Sequence, residues 1–440
     1  MYIDSIKLTN FRTFRESRIE FVHPKLDDIF SAIPTPQLPN VNLLLGNNGF
    51  GKTTLLKAIA LAALGPAVTD SGIFPYLLIR REPLLQPSEA VIEANFFPNE
   101  QDDTFVSVVE SHITVTRRGD LESLRWTHPE EKAWHPIFSS SSDAFFFVGY
   151  GATRRVEKAD RVDMGSRKYN AFIRAQRIQS LFEESYSLIP LTSWLPDLQQ
   201  SNPGRFKQVA SLINKLVGHG HYNFTGKMEA REYLFERNGI KIPFPALSDG
   251  YRAFLGWVGD LLYHVCETCP RGKKLVENKG IVLVDEIDLH LHPEWQLTVL
   301  QTLSKTLPNI QFIVTSHSPL IVGSLEWMNI ITMMPGEAGS SVAKRIEWAV
   351  HGLDADQVLL TDYFGLESTR APGKKRTLKE LTLKAREGDT KAAKQLLKEM
   401  SRGEERNVRI TVRLPSEVVE KAVRKGTLET SVDIKEVIDR

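Results

Sequence analysis

Cysteine is nearly absent from this chain of 440 residues: there are two, Cys266 and Cys269. A lone C-x-x-C can serve redox chemistry or form half of a zinc site. Zinc takes four ligands, however, and only His264 lies near, so the pair is read as two small thiols near a helix end. Long apolar runs are also missing. No uninterrupted stretch of about 18 apolar residues occurs, and no basic start leads into an apolar segment; neither a membrane span nor a secretory leader is expected, and the expected location is the cytoplasm. The formal net charge is only +1, which excludes a surface basic all over while leaving room for a local basic patch. Sustained heptads are lacking between residues 150 and 245, which excludes a long coiled coil there. What remains is an ordinary globular composition, 42% hydrophobic and 25% charged, over a length sufficient for two or three domains.

The stretch that organises the chain is Gly46-Asn47-Asn48-Gly49-Phe50-Gly51-Lys52-Thr53-Thr54. It fits G-x-x-x-x-G-K-[ST] and lies between an apolar run, Val41–Leu45, and a helical pattern carrying Leu55, Leu56 and Ile59. Glycines at a strand-to-helix turn let backbone N–H groups close on phosphate oxygens, and the helix start adds partial positive charge. Lys52 is then expected to reach the β and γ phosphates of ATP, and Thr53 to offer its hydroxyl to Mg²⁺.

A second apolar run, Gly280–Val284, turns acidic only where it ends, at Asp285-Glu286-Ile287-Asp288-Leu289-His290-Leu291-His292-Pro293. An open α/β sheet puts its site at that end of its strands. Asp285 is the expected Mg²⁺ carboxylate and Glu286 the base that deprotonates the attacking water. A helix through Trp295–Leu307 leads to a third such strand, Gln311–Thr315, ending in Ser316-His317-Ser318-Pro319, where His317 can reach the γ-phosphate or the water. Upstream, Leu247-Ser248-Asp249-Gly250 opens a helix; taken alone it is a capped helix start.

In this order, with Asn10-Phe11-Arg12 near the start, the motifs resemble the ABC-type ATPases of the SMC, RecF and OLD-like branch. The resemblance covers about residues 1–365. It implies ATP and Mg²⁺ as cofactors, with Lys52, Thr53, Asp285, Glu286 and His317 acting from one subunit. Ser248 and Gly250 would reach ATP held by another copy, and Arg12 would approach the phosphates. Asp249 stands where the signature motif usually has glycine. The glutamine expected after the strand ending near Val148 is missing, which leaves Arg154 as a candidate for that loop. OLD-like nucleases add a metal-binding domain; here only Asp354-Ala355-Asp356 matches, and it is read as a helix cap.

The expected fold is α/β: an ABC-type head with a mixed sheet behind the phosphate loop, an antiparallel β subdomain, an inserted helical lobe and a small C-terminal α/β appendage. Residues 1–151 and 271–365 form the expected core, with strands at 90–96 and 105–109. Residues 152–270 form the lobe, with a strand pair near Tyr222–Phe224 and Tyr233–Phe235, and residues 366–440 the appendage. In the appendage, 372–376 reads as a hinge, 377–400 as two helices, and Asn407–Ser416 as a strand leading into a helix, similar to half of a ribbon-helix-helix. A compact head of this kind looks most like the ATPase subunits of bacterial anti-phage systems such as the Septu type. That implies a second copy of itself as partner, a separately encoded nuclease or effector, and DNA as a further partner. A RecF-like ATPase binding DNA directly and a slowly hydrolysing assembly scaffold are the other readings.

Overall fold

The computed structural model describes residues 1–26, 33–69, 71–82, 87–98, 108–126, 134, 146–156, 173–217, 222–270, 272–369, 372–386 and 389–401. They fall into two units, Met1–Glu367 and Ser368–Arg440.

The chain enters as a hairpin, β1 (Tyr2–Phe11) and β2 (Phe14–Glu20), as the alternation of its first residues requires. β3 (Val41–Leu45) crosses to another sheet and delivers the glycine loop into α1 (Lys52–Leu64). β4 (Glu89–Phe97), β5 (Val109–Arg118) and β6 (Leu121–Trp126) return to the hairpin, completing an antiparallel sheet in the order β2-β1-β4-β5-β6. Of the strand expected at 105–109, Val109 begins β5, and residues 101–107 lie outside the described residues.

Next come β7 (Phe147–Tyr150) and the helices α2 (Leu191–Ser201) and α3 (Pro203–Val217). The strand pair expected near Tyr222–Phe235 is β8 (Asn223–Glu229) and β9 (Glu232–Arg237), extended by an unanticipated β10 (Ile240–Pro243). The long α4 (Asp249–Thr268) precedes β11 (Gly280–Val284), α5 (Pro293–Thr306), β12 (Ile310–Thr315), α6 (Pro319–Gly323), β13 (Ile330–Pro335) and β14 (Ser341–Lys344). The central sheet runs β14-β13-β3-β12-β11-β7, parallel throughout except at β14.

Every residue of β3, β11 and β12 is buried, as a parallel sheet covered on both faces demands. Alternate side chains feed two different cores. Leu43, Leu45, Val282 and Val284 pack with Trp194, Phe254, Trp257 and Leu300 of the helices. Leu44, Ile281, Leu283 and Ile313 pack with Leu55 and Ile59 of α1 and with Ile6, Ile92 and Ile113 of the antiparallel sheet. Two buried amides join the sheets: Asn42 exchanges both its hydrogen bonds with the Val22 backbone, and Gln311 accepts from Ile3 N–H and donates to the carbonyls of Ile3 and Val22. Apolar strands alone would leave the angle between the sheets loose; satisfied buried amides fix it.

Beyond β14, α7 (Ala355–Leu359) starts at Asp354, whose N–H donates to the Gln357 side chain at 3.1 Å, so the Asp-Ala-Asp motif is a helix start. The thiols sit at the C-terminal end of α4, both reduced, and burial pushes Cys266 up to about 12. Among the described residues no helix is long and apolar enough to cross a membrane. In the second unit α8 (Pro372–Arg386) and α9 (Thr390–Ser401) pack on each other. The hinge expected at 372–376 is instead the first turn of α8: proline suits the first helical position, where its missing N–H would have no partner. The strand and helix expected from 407 onward lie outside the described residues.

Candidate nucleotide site

The loop between β3 and α1 takes its shape from two glycines. Gly46 has φ +146° and lies so close to β13 that a Cβ would fall 2.7 Å from the Met333 carbonyl oxygen. Gly51 has φ +94°, and a Cβ there would meet Thr13 Oγ1 at 2.5 Å and the Phe14 ring at 2.9 Å. The β1–β2 turn therefore buttresses the loop from behind, while Asn47, Asn48 and Gly49 are exposed at its tip. No side chain caps α1, and its first turn carries no acid, so its start suits an anion. Lys52 folds back over the loop, its Nζ donating to the carbonyls of Gly46 at 2.7 Å and Asn47 at 3.2 Å. Burial lowers its pKa, opposed by Asp285, Glu286 and Asp288. Thr54 is buried in the same first turn.

The acidic strand end meets this loop directly. Thr53 Oγ1 donates to Asp285 Oδ2 at 2.8 Å, and Thr315 Oγ1, from the end of β12, donates to Asp285 Oδ1 at 2.6 Å. The same Thr315 hydroxyl accepts the Glu286 N–H at 2.7 Å. Arg154 closes the far side, donating from its two terminal nitrogens to the carbonyls of Asp285 at 2.5 Å and Glu286 at 2.9 Å. Burial brings its pKa down to about 10 against the pull of Asp285, Asp288 and Glu286. Arg154 thus grips the backbone of the acidic turn. Glu286 sits at φ +50°, a costly conformation for a residue with a side chain, held there by these bonds. A hydroxyl beside a carboxylate anchored by a second hydroxyl is a hard oxygen donor set, which fits Mg²⁺ shared with phosphates.

His317 follows β12, on a loop pinned by Ser318, which caps α6 and donates to Gln296 Oε1 at 2.7 Å. Burial and the nearby Lys52 lower its pKa, while Asp288, Glu286 and Asp285 act against them, placing it in the same charge cluster. Arg12 is engaged with backbone of a neighbouring loop. Its guanidinium donates to the Tyr76 carbonyl at 3.2 Å and its own N–H to the Leu78 carbonyl at 2.8 Å, so it anchors a loop beside the site. Burial lowers its pKa, with Glu122 opposing.

Ser248 and Gly250 lie elsewhere, at the start of α4. Ser248 and Asp249 are exposed and Gly250 partly so, Asp249 pairing with Arg252. A Cβ on Gly250 would fall 2.6 Å from the His290 carbonyl oxygen, so this turn packs against the loop that follows the acids. Of the expected site, then, the structure brings the glycine loop, Lys52, Thr53, Asp285, Glu286 and His317 together and leaves Ser248 and Gly250 open on the surface. Sequence reasoning passed over Thr315; its signal was a hydroxyl at the last position of a buried strand, next to the apolar run Phe312–Val314.

One sheet end able to hold a triphosphate and a separate, exposed helix start able to reach another make this the head of an ABC-type ATPase. The chain belongs to the family described as AAA domain, putative AbiEii toxin, Type IV TA system, which matches residues 41–323. It is 24% identical to the Septu protein PtuA of Bacillus mycoides (strain KBAB4), the match covering 84% of this chain and 45% of that protein, so the chain spans less than half the length of that relative. It is also 24% identical to the Retron Ec83 probable ATPase of Escherichia coli, over 76% of this chain and 72% of the relative. Among solved structures it is similar to the SMC head domain from Thermotoga maritima, with a TM-score of 0.45 at 15% identity, covering 79% of this chain and 100% of that one.

Proposed function

We propose that the chain is an ATP-hydrolysing switch in an anti-phage defence complex. Two copies close on two ATP molecules, and hydrolysis, or its blockade by a phage-derived signal, controls a separately encoded nuclease or other effector. The observation that carries the hydrolytic part is the Asp285 clasp, which couples the phosphate-loop hydroxyl of Thr53 at 2.8 Å to the acidic end of β11. The defence setting rests on similarity to the Septu and retron proteins.

In this mechanism Lys52 leaves the loop carbonyls for the β and γ phosphates, and Thr53 and Asp285 would hold Mg²⁺, which would supply positive charge against the phosphates. Glu286 takes the proton of the attacking water. His317, kept neutral by burial and by Lys52, hydrogen-bonds the γ-phosphate or that water. Ser248 and the start of α4 complete the grip on ATP held by the other copy. The test is protection of cells against phage by this gene with its neighbours, alongside phosphate release by the purified chain with and without the neighbouring gene product. Lys52→Ala is expected to abolish protection and lower release to background. Full protection by Lys52→Ala would separate the chain's role from ATP and overturn the proposal, while slow release unchanged by the neighbouring gene product would favour the scaffold reading.

Direct DNA binding is a second reading, favoured by the exposed Arg376, Lys379, Lys384, Lys391 and Lys394 along α8 and α9. A DNA shift by the purified chain alone, lost between about 50 and 200 mM salt, is the result that reading requires.

A further inference from the structure

Beside the exposed Ser248–Gly250 turn the surface opens into a cleft of about 610 Å³, a size typical of pockets for small organic ligands. Its wall is an interlocked set of rings. Tyr251, in the first turn of α4, stands edge-on to Tyr222 with centroids 4.7 Å apart, and edge-on to Trp295 of α5 at 4.4 Å. Arg237, at the end of β9, lies over the Tyr222 ring at 5.5 Å. Both tyrosines are only partly buried, so these rings face a cavity where most aromatic clusters face a core. The Tyr251 hydroxyl has no hydrogen-bond partner among the described residues.

Ser248 and Gly250 line this same cleft. We infer that the cleft receives the base and sugar of the nucleoside triphosphate whose terminal phosphates the Ser248–Gly250 turn grips from the other copy; this rests on the two-copy reading above. The chemistry suits a nucleoside. A base stacks on aromatic and guanidinium planes whatever its identity, and Arg237 adds positive charge to the lining. His290 also lines the cleft, and its carbonyl oxygen is the atom against which Gly250 packs. Since His290 follows Glu286 on the same loop, a nucleoside seated here touches the segment that carries the expected base. Base recognition is then made in trans, and only as the two copies close.

The experiment measures closure by sedimentation in the Glu286→Gln background, titrating Mg-ATP and, separately, inorganic triphosphate with Mg²⁺. Closure with ATP is expected at lower concentration than with triphosphate. Combining Tyr222→Ala with Arg237→Ala is expected to raise the ATP midpoint about tenfold, leaving the triphosphate midpoint and ATP binding by the dilute monomer unchanged. Tyr222→Phe, which keeps the ring, is expected to behave as the parent. Arg237, exposed at a strand end, carries the test alone if Tyr222→Ala fails to fold. An unchanged ATP midpoint overturns the inference, as do coincident ATP and triphosphate curves in the parent. Equal loss with both ligands also overturns it, since the cleft would then be receiving protein surface. Ser248→Arg separates the inference from the reading beneath it. That variant is expected to block closure with both ligands, and if it closes normally the two-copy reading fails whatever the cleft variants do.

Discussion

Glu286→Gln is expected to slow ATP hydrolysis by a factor of about 10² to 10⁴, the usual worth of a positioned general base, while ATP still binds. The reasoning starts from the backbone. Glu286 is held at φ +50° by its N–H bond to Thr315 and by the Arg154 bond to its carbonyl. None of these involves the side chain, so Gln inherits the same turn and loses only the proton-accepting charge. Thr53 still meets Asp285 and Lys52 is expected still to meet phosphates, so on the two-copy reading the closed, ATP-bound pair is expected to accumulate because its exit is blocked. Phosphate release in single-turnover conditions reads the rate, and mass in solution with and without ATP reads the trapped pair. His317 is expected to set the acid side of the profile. Its pKa lies below the ordinary 6.5, so the imidazole stays neutral, and hydrolysis persists, as pH falls past that value. Unchanged phosphate release in both Glu286→Gln and Lys52→Ala would remove the mechanism.

Much of this site was legible because its pieces are local. Gly46 and Gly51 need positive φ and close approach, and the Lys-Thr pair must follow directly. An apolar strand can become acidic only at its end, so a short window of sequence contains each part. The parallel strands β3, β11 and β12 were readable for the same reason, being mostly apolar, with polar side chains only at Asn42, Gln311 and Thr315 and no regular alternation to confuse their type. What escaped was contact across the chain. Thr315 holds Asp285 from 30 residues away, and no spacing rule links a threonine ending one strand to a carboxylate following another. Arg154 fell at the place where a nucleotide-facing residue was expected, yet its guanidinium serves two backbone carbonyls. The bond from the Arg12 guanidinium to the Tyr76 carbonyl likewise has no local signal in the sequence. β10 is four residues long, largely exposed and ends in a proline, too short for a periodic pattern to announce it.

Asp260→Ala is expected to destabilise the first unit by about 3–5 kcal/mol, because it strips a buried carboxylate from partners that have nowhere else to turn. Asp260 is 3% exposed, midway along α4. It accepts from the Tyr150 hydroxyl and from the Ile189 N–H, both at 2.8 Å, with His264 Nε2 at 3.4 Å. Burial works to raise its pKa, but His264, the Ile189 N–H and the Tyr150 hydroxyl outweigh it and the net shift is downward from 3.8. A depressed carboxylate contributes stability that is fully present above the unfolded value and is lost as pH falls through the folded one. Asp260→Asn, which keeps the shape without the charge, is therefore expected to be less stable near neutrality and to lose the part of acid unfolding that lies below about pH 3.8. Urea midpoints at several pH values measure both. The same contact ties the site together: the Tyr150 carbonyl accepts the Asp285 N–H at 2.8 Å, so Tyr150 joins the helix that begins at Ser248 to the strand end that carries the acids. Loss of Asp260 should then reduce ATP-driven closure at temperatures where the variant remains folded, and Tyr150→Phe should do so more mildly. Wild-type closure in a folded Asp260→Ala protein would show that α4 takes its position from apolar packing alone.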